Sequence, residues 1–396
     1  MNVGFVVYGD IETTSGGFLY DRELIEGLRE RGDTVQILEL PWPSYPRGLY
    51  EGFVARLDRF TADFDVLLQD ELAHPTLWGL NARLRRRCDV PIVSVVHHLR
   101  CSEAHPRPER ACYRAVERRY LETVDAAVCN SVFTRESVTD LASPPTAIAP
   151  PAGDRFDPAI DADAITTRAH DGPLEVCFLG SVVPRKNLHT LIEALARLPD
   201  ERWRLRVVGD TAVNPAYVRR VHRTIARSDV GDRVSMSGAL GDDALAGVLR
   251  GSHLLAIPSI HEGFGIAYLE GMSFGLPALA TTAGGAREVV AHGETGYLCS
   301  PGDVEGISRR IRALADDRES LAEMGVAARE RYEAHPTWAE SATRVGRFLD
   351  RVVSETGRED TNGDDGDGGD NNNDGHGRNA NRRDRRRHTG GRRALA

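Results

Sequence analysis

Short runs of consecutive apolar residues alternate with amphipathic stretches along most of the chain. Up to about Pro150 the apolar runs include VGFVVY, PIVSVV and DAAVC, and stretches with helical periodicity separate them. Strands that are apolar on successive residues are typical of a parallel sheet covered by helices on both faces. The pattern therefore predicts a doubly wound α/β domain in which strands and helices alternate.

A segment rich in proline and glycine, SPPTAIAPPAGDRFD at 143–157, interrupts the alternation. We interpret this segment as the connection between two domains. After it the pattern resumes with LEVCFLG, SHLLAIPS and LPALAT, again separated by amphipathic stretches. Two successive arrays of this size predict two Rossmann-like parallel sheets whose strand ends face a central cleft.

The final forty or so residues have a different composition from the rest of the chain. They include GDDGDGGDNNND and NRRDRRRHTGGRR and contain almost no apolar side chains, so they cannot offset the entropy of ordering. We therefore expect a disordered tail. The predicted organisation is an N-terminal Rossmann-like domain at 1–157, a C-terminal Rossmann-like domain at 158–335, a helix at 336–354 that packs back on the N-terminal domain, and the tail at 355–396.

Charge and hydropathy argue against a nucleic-acid-binding protein and against a membrane-spanning one. The chain has 396 residues and a formal net charge of -9, with 59 acidic against 50 basic side chains. An acidic body lacks the clustered positive charge that follows nucleic-acid phosphates, so no nucleic-acid partner is expected. The first ten residues do not resemble a signal peptide, and no apolar run approaches the length of a membrane span. We expect a cytoplasmic protein, and any association with a membrane would be peripheral.

The six cysteines do not suggest a metal or redox site. They are scattered along the chain, with no C-x-x-C pair and no histidine at metal-ligand spacing. Cysteines in this pattern are expected to be reduced packing residues.

The segment SIHEGFGIAYLEGMSF at 259–274 is the strongest candidate for a ligand site. It follows an apolar strand, passes through a Gly-Phe-Gly turn and then begins a helix, so its backbone N–H groups near 263–266 are placed to bind a phosphate. Glu262 lies in the turn and Glu270 about one turn into the helix, where they can accept hydrogen bonds from a sugar or ribose. The alternative is that both are solvated surface acids.

A second candidate site is the segment FLGSVVPRKN at 178–187, where a strand leads into a glycine-containing loop. Arg185 and Lys186 stand at the start of the next helix, where cations oppose the helix dipole. A diphosphate bound between them would explain that placement. Lys186 is the only lysine in the chain, which strengthens this interpretation over ordinary pairing with nearby acids.

Taken in order, these segments resemble the C-terminal domain of glycosyltransferase family 4. The motifs are Gly180 with RKN, VGD at 208–210, PS followed by EGFG and EGM, GLP at 275–277, and the glycine pair at 284–285. The resemblance covers about 1–353 and is strongest over 174–303. It implies a GT-B fold in which 1–157 is the acceptor-side domain and 158–335 binds the nucleotide sugar. It also implies a hexosyltransferase-like reaction with a nucleotide-diphosphate sugar as donor, retention at the anomeric carbon, and no required metal or other cofactor.

The resemblance also implies roles for individual residues. Arg185 and Lys186 would hold the donor diphosphate, and Glu270 would bind the ribose. Glu262 would face the donor sugar, and His97 occupies the position of the family's active-site histidine. The remaining donor-binding positions are mostly glycines, namely Gly16, Gly17, Gly180, Gly209, Asp210, Gly263, Phe264 and Gly265.

Three details of the sequence depart from the family pattern or point elsewhere. His98 stands where the family often has aspartate, and Gly271 stands where alanine is common. Neither change removes a charged catalytic candidate. Asp161 and Asp163 match the D-x-D pattern of metal-dependent sugar transferases, but they lie in a polar connection and not at a strand end. We therefore predict no metal site.

The sequence leaves the donor base, the donor sugar and the acceptor open. The acceptor could be a glycan, a lipid-linked molecule or a small molecule. Two other functions would use the same cleft, namely a sugar-nucleotide epimerase or hydrolase and a non-catalytic scaffold that binds sugar nucleotides. The combination of Arg185 and Lys186 with Glu262 and Glu270 favours the transferase.

Overall fold

The computed structural model describes residues 1–13, 15–61, 63–103 and 105–359. Within these ranges the chain forms two six-stranded sheets with helices between successive strands. Both sheets belong to one compact unit, Met1–Thr356. In this part of the chain no helix has the length and apolar character needed to cross a membrane.

The first sheet is parallel and has the strand order β2-β1-β3-β4-β5-β6. Its strands are β1 (Asn2–Tyr8), β2 (Thr34–Leu40), β3 (Val66–Asp70), β4 (Ile92–Val96), β5 (Ala126–Cys129) and β6 (Thr146–Ile148). The accompanying helices are α1 (Gly16–Glu30), α2 (Tyr45–Val54), α3 (His74–Leu84), α4 (Arg107–Leu121) and α5 (Val132–Thr139). Alternate side chains of β1, such as Phe5 and Val6, enter separate cores on the two faces of the sheet.

The second sheet is also parallel, with the order β12-β11-β10-β7-β8-β9. Its strands are β7 (Leu174–Leu179), β8 (Trp203–Val208), β9 (Val234–Met236), β10 (Leu254–Ala256), β11 (Ala278–Thr281) and β12 (Gly296–Cys299). The remaining helices are α6 (Ala162–Ala169), α7 (Leu188–Leu195), α8 (Pro215–Arg227), α9 (Asp242–Arg250), α10 (Ile266–Ser273), α11 (Ala286–Val289), α12 (Val304–Asp316), α13 (Arg318–Glu333) and α14 (Trp338–Glu359). The two predicted Rossmann-like parallel sheets are confirmed.

The segment predicted as an irregular connection contains a strand. Thr146–Ile148 pairs with β5 and forms the edge of the first sheet. The flanking prolines fit this position, because an edge strand tolerates residues that cannot donate a backbone hydrogen bond. The carbonyl of Pro145 accepts a hydrogen bond from Ala127 N at 2.9 Å. The part of this segment that connects the two sheets therefore begins only after Ile148.

The chain passes between the two sheets twice, and the two crossings contact each other. The first crossing follows β6, and the second lies between α13 and α14. His335 Nε2 lies 2.9 Å from the carbonyl oxygen of Pro151, and Ser341 Oγ donates to the carbonyl of Pro150 at 2.6 Å. Trp338 N also donates to Asp154 Oδ2 at 3.3 Å. The two crossings are therefore held side by side.

Helix α14 returns to the first sheet. Val345, Phe348 and Leu349 are buried in the same core as Phe18 and Leu28 of α1. The helix continues to Glu359, so the expectation of disorder from 355 onward is wrong for its first residues. The rest of the predicted tail, 360–396, lies outside the described residues.

All six cysteines are free thiols. Four of them are buried and Cys88 is half-buried, as expected of packing residues. Cys112 is exposed on α4, so the expectation of a packing role is wrong for it.

Candidate active site

A cleft of about 940 Å³ lies between the two sheets. One wall includes the loops that follow β1, β2, β3, β4 and β5, and the other includes the loops that follow β7, β8, β9 and β10. Ligands of open α/β sheets bind beyond the carboxyl ends of the strands, which is where this cleft lies. Every predicted site residue lines it, namely Gly16, Gly17, His97, Gly180, Arg185, Lys186, Gly209, Asp210, Glu262, Gly263, Phe264, Gly265 and Glu270.

Three charged residues form an ion cluster on the second-sheet wall. Lys186 Nζ donates to Glu262 Oε2 at 2.8 Å, and Arg185 Nη1 lies 3.6 Å from Glu262 Oε1. Arg185 also donates to the carbonyl of His261 at 2.9 Å, and Ser259 Oγ donates to Glu262 Oε2 at 3.0 Å. The sequence placed these charges in one site but did not predict that the acid would bind both cations.

The charge state of this cluster follows from its burial and its pairing. Burial alone would raise the pKa of Glu262, but the charges of Lys186 and Arg185 lower it to about 2. Burial lowers the pKa of Lys186, and Glu262 opposes that effect. Two cations and one carboxylate leave a net positive charge on this ion cluster, which suits an anionic ligand.

The glycine-rich turn beside this cluster leads into α10. Gly265 is the N-cap of the helix and has a φ of 108°, a conformation that side chains other than glycine rarely adopt. A Cβ atom at this position would also overlap the ring of Tyr268. The first N–H groups of a helix have no partner within the helix, and Ile266 and Ala267, which carry the first two here, line the cleft. These groups and the ion cluster converge on one wall.

Glu270, the second predicted acid, pairs with a residue that the sequence did not single out. Arg155 Nη1 lies 3.4 Å from Glu270 Oε1, and Arg155 Nη2 contacts Asp242. Burial raises the pKa of Glu270, and Arg155 opposes this effect. Arg155 belongs to the first crossing between the sheets, where it stands between Asp154 and Phe156 and is part of no recognisable motif. It anchors that crossing to the second-sheet wall.

His97 follows β4 on the first-sheet wall and contacts acids from two other elements. Its Nε2 lies 3.0 Å from Asp21 Oδ1 on α1 and 3.9 Å from Asp70 Oδ1 at the end of β3. Burial would lower the pKa of His97, but the charges of Asp21 and Asp70 raise it to about 9. Burial, together with the charge of Asp21, raises the pKa of Asp70. The imidazole is therefore cationic at neutral pH.

Glycines of both walls lie close to His97. A Cβ atom on Gly17 would lie 3.3 Å from the imidazole, and one on Gly263 would lie 2.7 Å from the carbonyl oxygen of His97. Asn130 Nδ2 donates to the same carbonyl at 2.8 Å, and Ser131 Oγ donates to the carbonyl of Gly263 at 3.3 Å. The predicted glycines thus allow the two walls to meet around the histidine.

Two groups of described residues bring potential metal ligands within 4.8 Å of one another, namely Asp21, Asp70 and His97, and Glu71, His74 and Glu117. In the first group His97 Nε2 already faces Asp21 Oδ1 at 3.0 Å. In the second group both nitrogens of His74 have protein partners, because Nε2 lies 3.0 Å from Tyr45 Oη and Nδ1 lies 2.9 Å from the carbonyl of Glu71.

The D-x-D motif has a local structural role. Asp161 accepts a hydrogen bond from Ala164 N at 2.8 Å and caps α6.

Asp21→Asn is expected to lower the pKa of His97 by about one to three pH units, because it removes the charge 3.0 Å from Nε2. The wild-type pKa of about 9 lies above the ordinary value of 6.5. The pair therefore stabilises the fold fully below about pH 6.5 and loses that contribution as the pH rises through about 9. An NMR titration of the imidazoles measures the change, with the other histidines as internal controls. An unchanged midpoint for His97 would show that Asp21 does not set its charge.

Comparisons with known sequences identify families and proteins that this chain resembles. The family model described as "Glycosyl transferase 4-like domain" matches 16–151, and the one described as "Glycosyl transferases group 1" matches 161–331. Glycogen synthase of Mycobacterium tuberculosis is 27% identical over 283 residues, which cover 70% of this chain and 66% of that protein. D-inositol 3-phosphate glycosyltransferase of Streptomyces avermitilis is 34% identical over 184 residues, 44% of this chain and 40% of that protein. The chain thus spans less than two thirds of the length of these relatives.

Solved structures share the fold over nearly their full length. Sucrose-phosphate synthase from Thermosynechococcus elongatus has a TM-score of 0.77 at 22% identity, covering 89% of this chain and 99% of that one. The Anabaena protein HepE, in complex with UDP and glucose, has a TM-score of 0.70 at 19% identity, covering 88% and 99%. The matched regions provide the two walls of the cleft. The chain therefore belongs to the glycosyltransferase family 4-like proteins of the GT-B fold.

Proposed function

We propose that the protein is a retaining, metal-independent glycosyltransferase that moves a sugar from a nucleotide-diphosphate donor to an acceptor hydroxyl. The observation that carries this proposal is the convergence of Arg185, Lys186 and the start of α10 on one wall of the cleft. The curated relatives include a glycogen synthase and a D-inositol 3-phosphate glycosyltransferase, and the structural neighbour HepE is in complex with UDP and glucose. Both facts support a nucleotide-sugar donor.

The cation cluster would act on the leaving group. As the bond between sugar and diphosphate breaks, negative charge grows on the phosphate oxygens. Fixed cations and helix N–H groups then stabilise the transition state more than the bound donor. Glu262 holds Lys186 and Arg185 in place, and the cluster of three still has a net positive charge.

Glu270 and Arg155 would bind the nucleoside part of the donor. A buried carboxylate can accept hydrogen bonds from both ribose hydroxyls, provided that it stays ionised. The guanidinium of Arg155, 3.4 Å away, favours the ionised form. Arg155 thus supports Glu270 and links the donor site to the first crossing.

His97 would donate a hydrogen bond to the transferred sugar. Its Nε2 faces Asp21, which leaves Nδ1 for the substrate. Both nitrogens of an imidazole carry protons only in the cationic form. The raised pKa of about 9 therefore makes Nδ1 a donor at neutral pH.

The proposal is tested by screening the full chain against UDP-, GDP- and ADP-sugars in the presence of EDTA. A bound donor should raise the melting temperature by mass action, and slow donor hydrolysis should continue in EDTA. NMR of the product should show that the anomeric configuration of the donor is kept. Stabilisation without any turnover would favour a scaffold, turnover abolished by EDTA would contradict metal independence, and an inverted product would contradict retention.

A further inference from the structure

Arg100 is a cation of the cleft to which the proposed donor chemistry assigns no role. Other cationic side chains that line the cleft, Arg22, Arg155, Arg185 and Lys186, each bind a carbonyl or a carboxylate. Within the described part of the chain, the guanidinium of Arg100 has neither a hydrogen bond nor an ion pair, and its polar contacts are to aromatic rings. It is exposed on the first-sheet wall.

Two tyrosines hold this guanidinium in place. Its central carbon lies 4.7 Å from the ring centre of Tyr113 and 5.4 Å from that of Tyr45. The two rings are themselves packed edge to face, with centres 4.9 Å apart. Contact with aromatic rings engages the faces of a guanidinium and leaves the N–H groups along its edges free. Arg100 is thus a positioned cation with unused donors.

A buried polar cluster contacts the backbone of Arg100 and the ring of Tyr45. Glu117 is fully buried and accepts the backbone N–H of Arg100. Tyr45 Oη lies 3.0 Å from Nε2 of the buried His74, whose Nδ1 lies 3.0 Å from Oε1 of the buried Glu71. Burying ionisable groups is unfavourable unless they are paired, and a paired cluster rigidifies its surroundings. The cluster therefore fixes both Arg100 and one of the rings that it contacts.

The acid of the same loop does not neutralise Arg100. Glu103 lies 2.9 Å from His98 Nε2 and 3.6 Å from His105 Nε2. Its charge is thus engaged by histidines. Positive charge from Arg100 remains available on the first-sheet wall, across the cleft from the donor cations Arg185 and Lys186.

We propose that Arg100 binds an anionic group of the acceptor, and that the acceptor of this enzyme therefore carries a phosphate or a carboxylate. This inference rests on the proposed transferase function. The planar guanidinium matches the paired oxygens of either group. Its place on the wall opposite the donor cations assigns it to the acceptor. A neutral acceptor would leave its donors without a charged partner.

The test is calorimetric titration of inorganic phosphate into the full chain, with the donor site first saturated by the nucleoside diphosphate that the donor screen selects. The wild type should bind phosphate saturably, and Arg100→Ala should weaken that binding by about 10- to 100-fold. Arg100→Lys, which keeps the charge but loses the planar fork, should fall between them. Arg107→Ala removes an exposed arginine that lies outside the cleft lining and should match the wild type.

Sedimentation with vesicles then distinguishes a soluble acceptor from a lipid-borne one. Arg100-dependent binding to phosphatidylcholine vesicles that contain phosphatidylglycerol, but not to pure phosphatidylcholine, would assign the anionic group to a lipid. Arg100-dependent binding of free phosphate alone would assign it to a soluble acceptor. If neither probe depends on Arg100, the inference is overturned. Donor binding in the same samples reports separately on the proposed function, which fails only if no nucleotide sugar binds or turns over.

Discussion

Lys186→Met is expected to lower kcat/KM for the sugar-nucleotide donor by about 100- to 1,000-fold. The substitution removes a cation that lies on the cleft wall 2.8 Å from Glu262. The leaving diphosphate would then lose a charge-assisted partner at the stage when its negative charge is greatest. Steady-state kinetics with the preferred donor measure the loss, and an unchanged kcat/KM would contradict the assignment of this wall to the diphosphate.

The stability of the same variant must be measured separately. Without Lys186, the buried Glu262 keeps Arg185 at 3.6 Å as its cationic partner, and a poorly paired buried charge destabilises the fold. The double variant Lys186→Met/Glu262→Gln removes both charges and should regain stability without regaining activity. Arg204→Met serves as the matched control, because it removes a surface cation of β8 outside the cleft lining. It should leave the kinetics unchanged.

Gly284→Ala is expected to destabilise the fold by about 2–5 kcal/mol and to disrupt the loop that carries Glu262. Gly284 has a φ of 88°, and a Cβ atom there would overlap the carbonyl oxygen of Glu262. That carbonyl also accepts a hydrogen bond from Gly285 N at 2.8 Å. Urea unfolding of the two proteins gives the difference in the free energy of unfolding.

Gly293→Ala separates the two causes of this effect. Gly293 has a similar φ of 84°, but a Cβ atom added there would have no heavy atom within 4 Å beyond its immediate chain neighbours. This variant should therefore show only the backbone penalty of about 1–2 kcal/mol. If both variants lose the same stability, the close approach between Gly284 and the Glu262 loop contributes nothing.

The sequence predicted the two sheets and the cleft because both depend on patterns of residues that are close together in the chain. Apolar runs mark the strands, and glycine-rich turns at their carboxyl ends mark the ligand site. The partners inside the site carry no such pattern. Lys186 and Glu262 are 76 residues apart, and Arg155 and Glu270 are 115 apart. Only the fold brings such pairs together.

Some single residues of the site also could not be predicted from local sequence patterns. Asp21 lies within the amphipathic pattern of α1 and has no motif around it, yet it sets the charge of His97. Gly271 departs from the family's alanine, and the structure supplies a reason. A Cβ atom there would lie 2.8 Å from a methyl carbon of Leu255 on β10, so glycine lets the helix pack closely on the strand. The sequence alone gave no reason for glycine at this position.

The paired crossings limit how the two walls of the cleft can move. If one flexible segment joined two rigid bodies, the bodies could rotate relative to each other about three axes. Here the first crossing and the start of α14 run side by side, joined through His335 and Ser341 to the carbonyls of Pro151 and Pro150. Two adjacent attachment points allow only one of these rotations, the one about the line that joins the two points. Any opening of the cleft would then be a rotation of one wall about this single axis. Each closure would bring Arg185 and Lys186 back to the same position relative to His97.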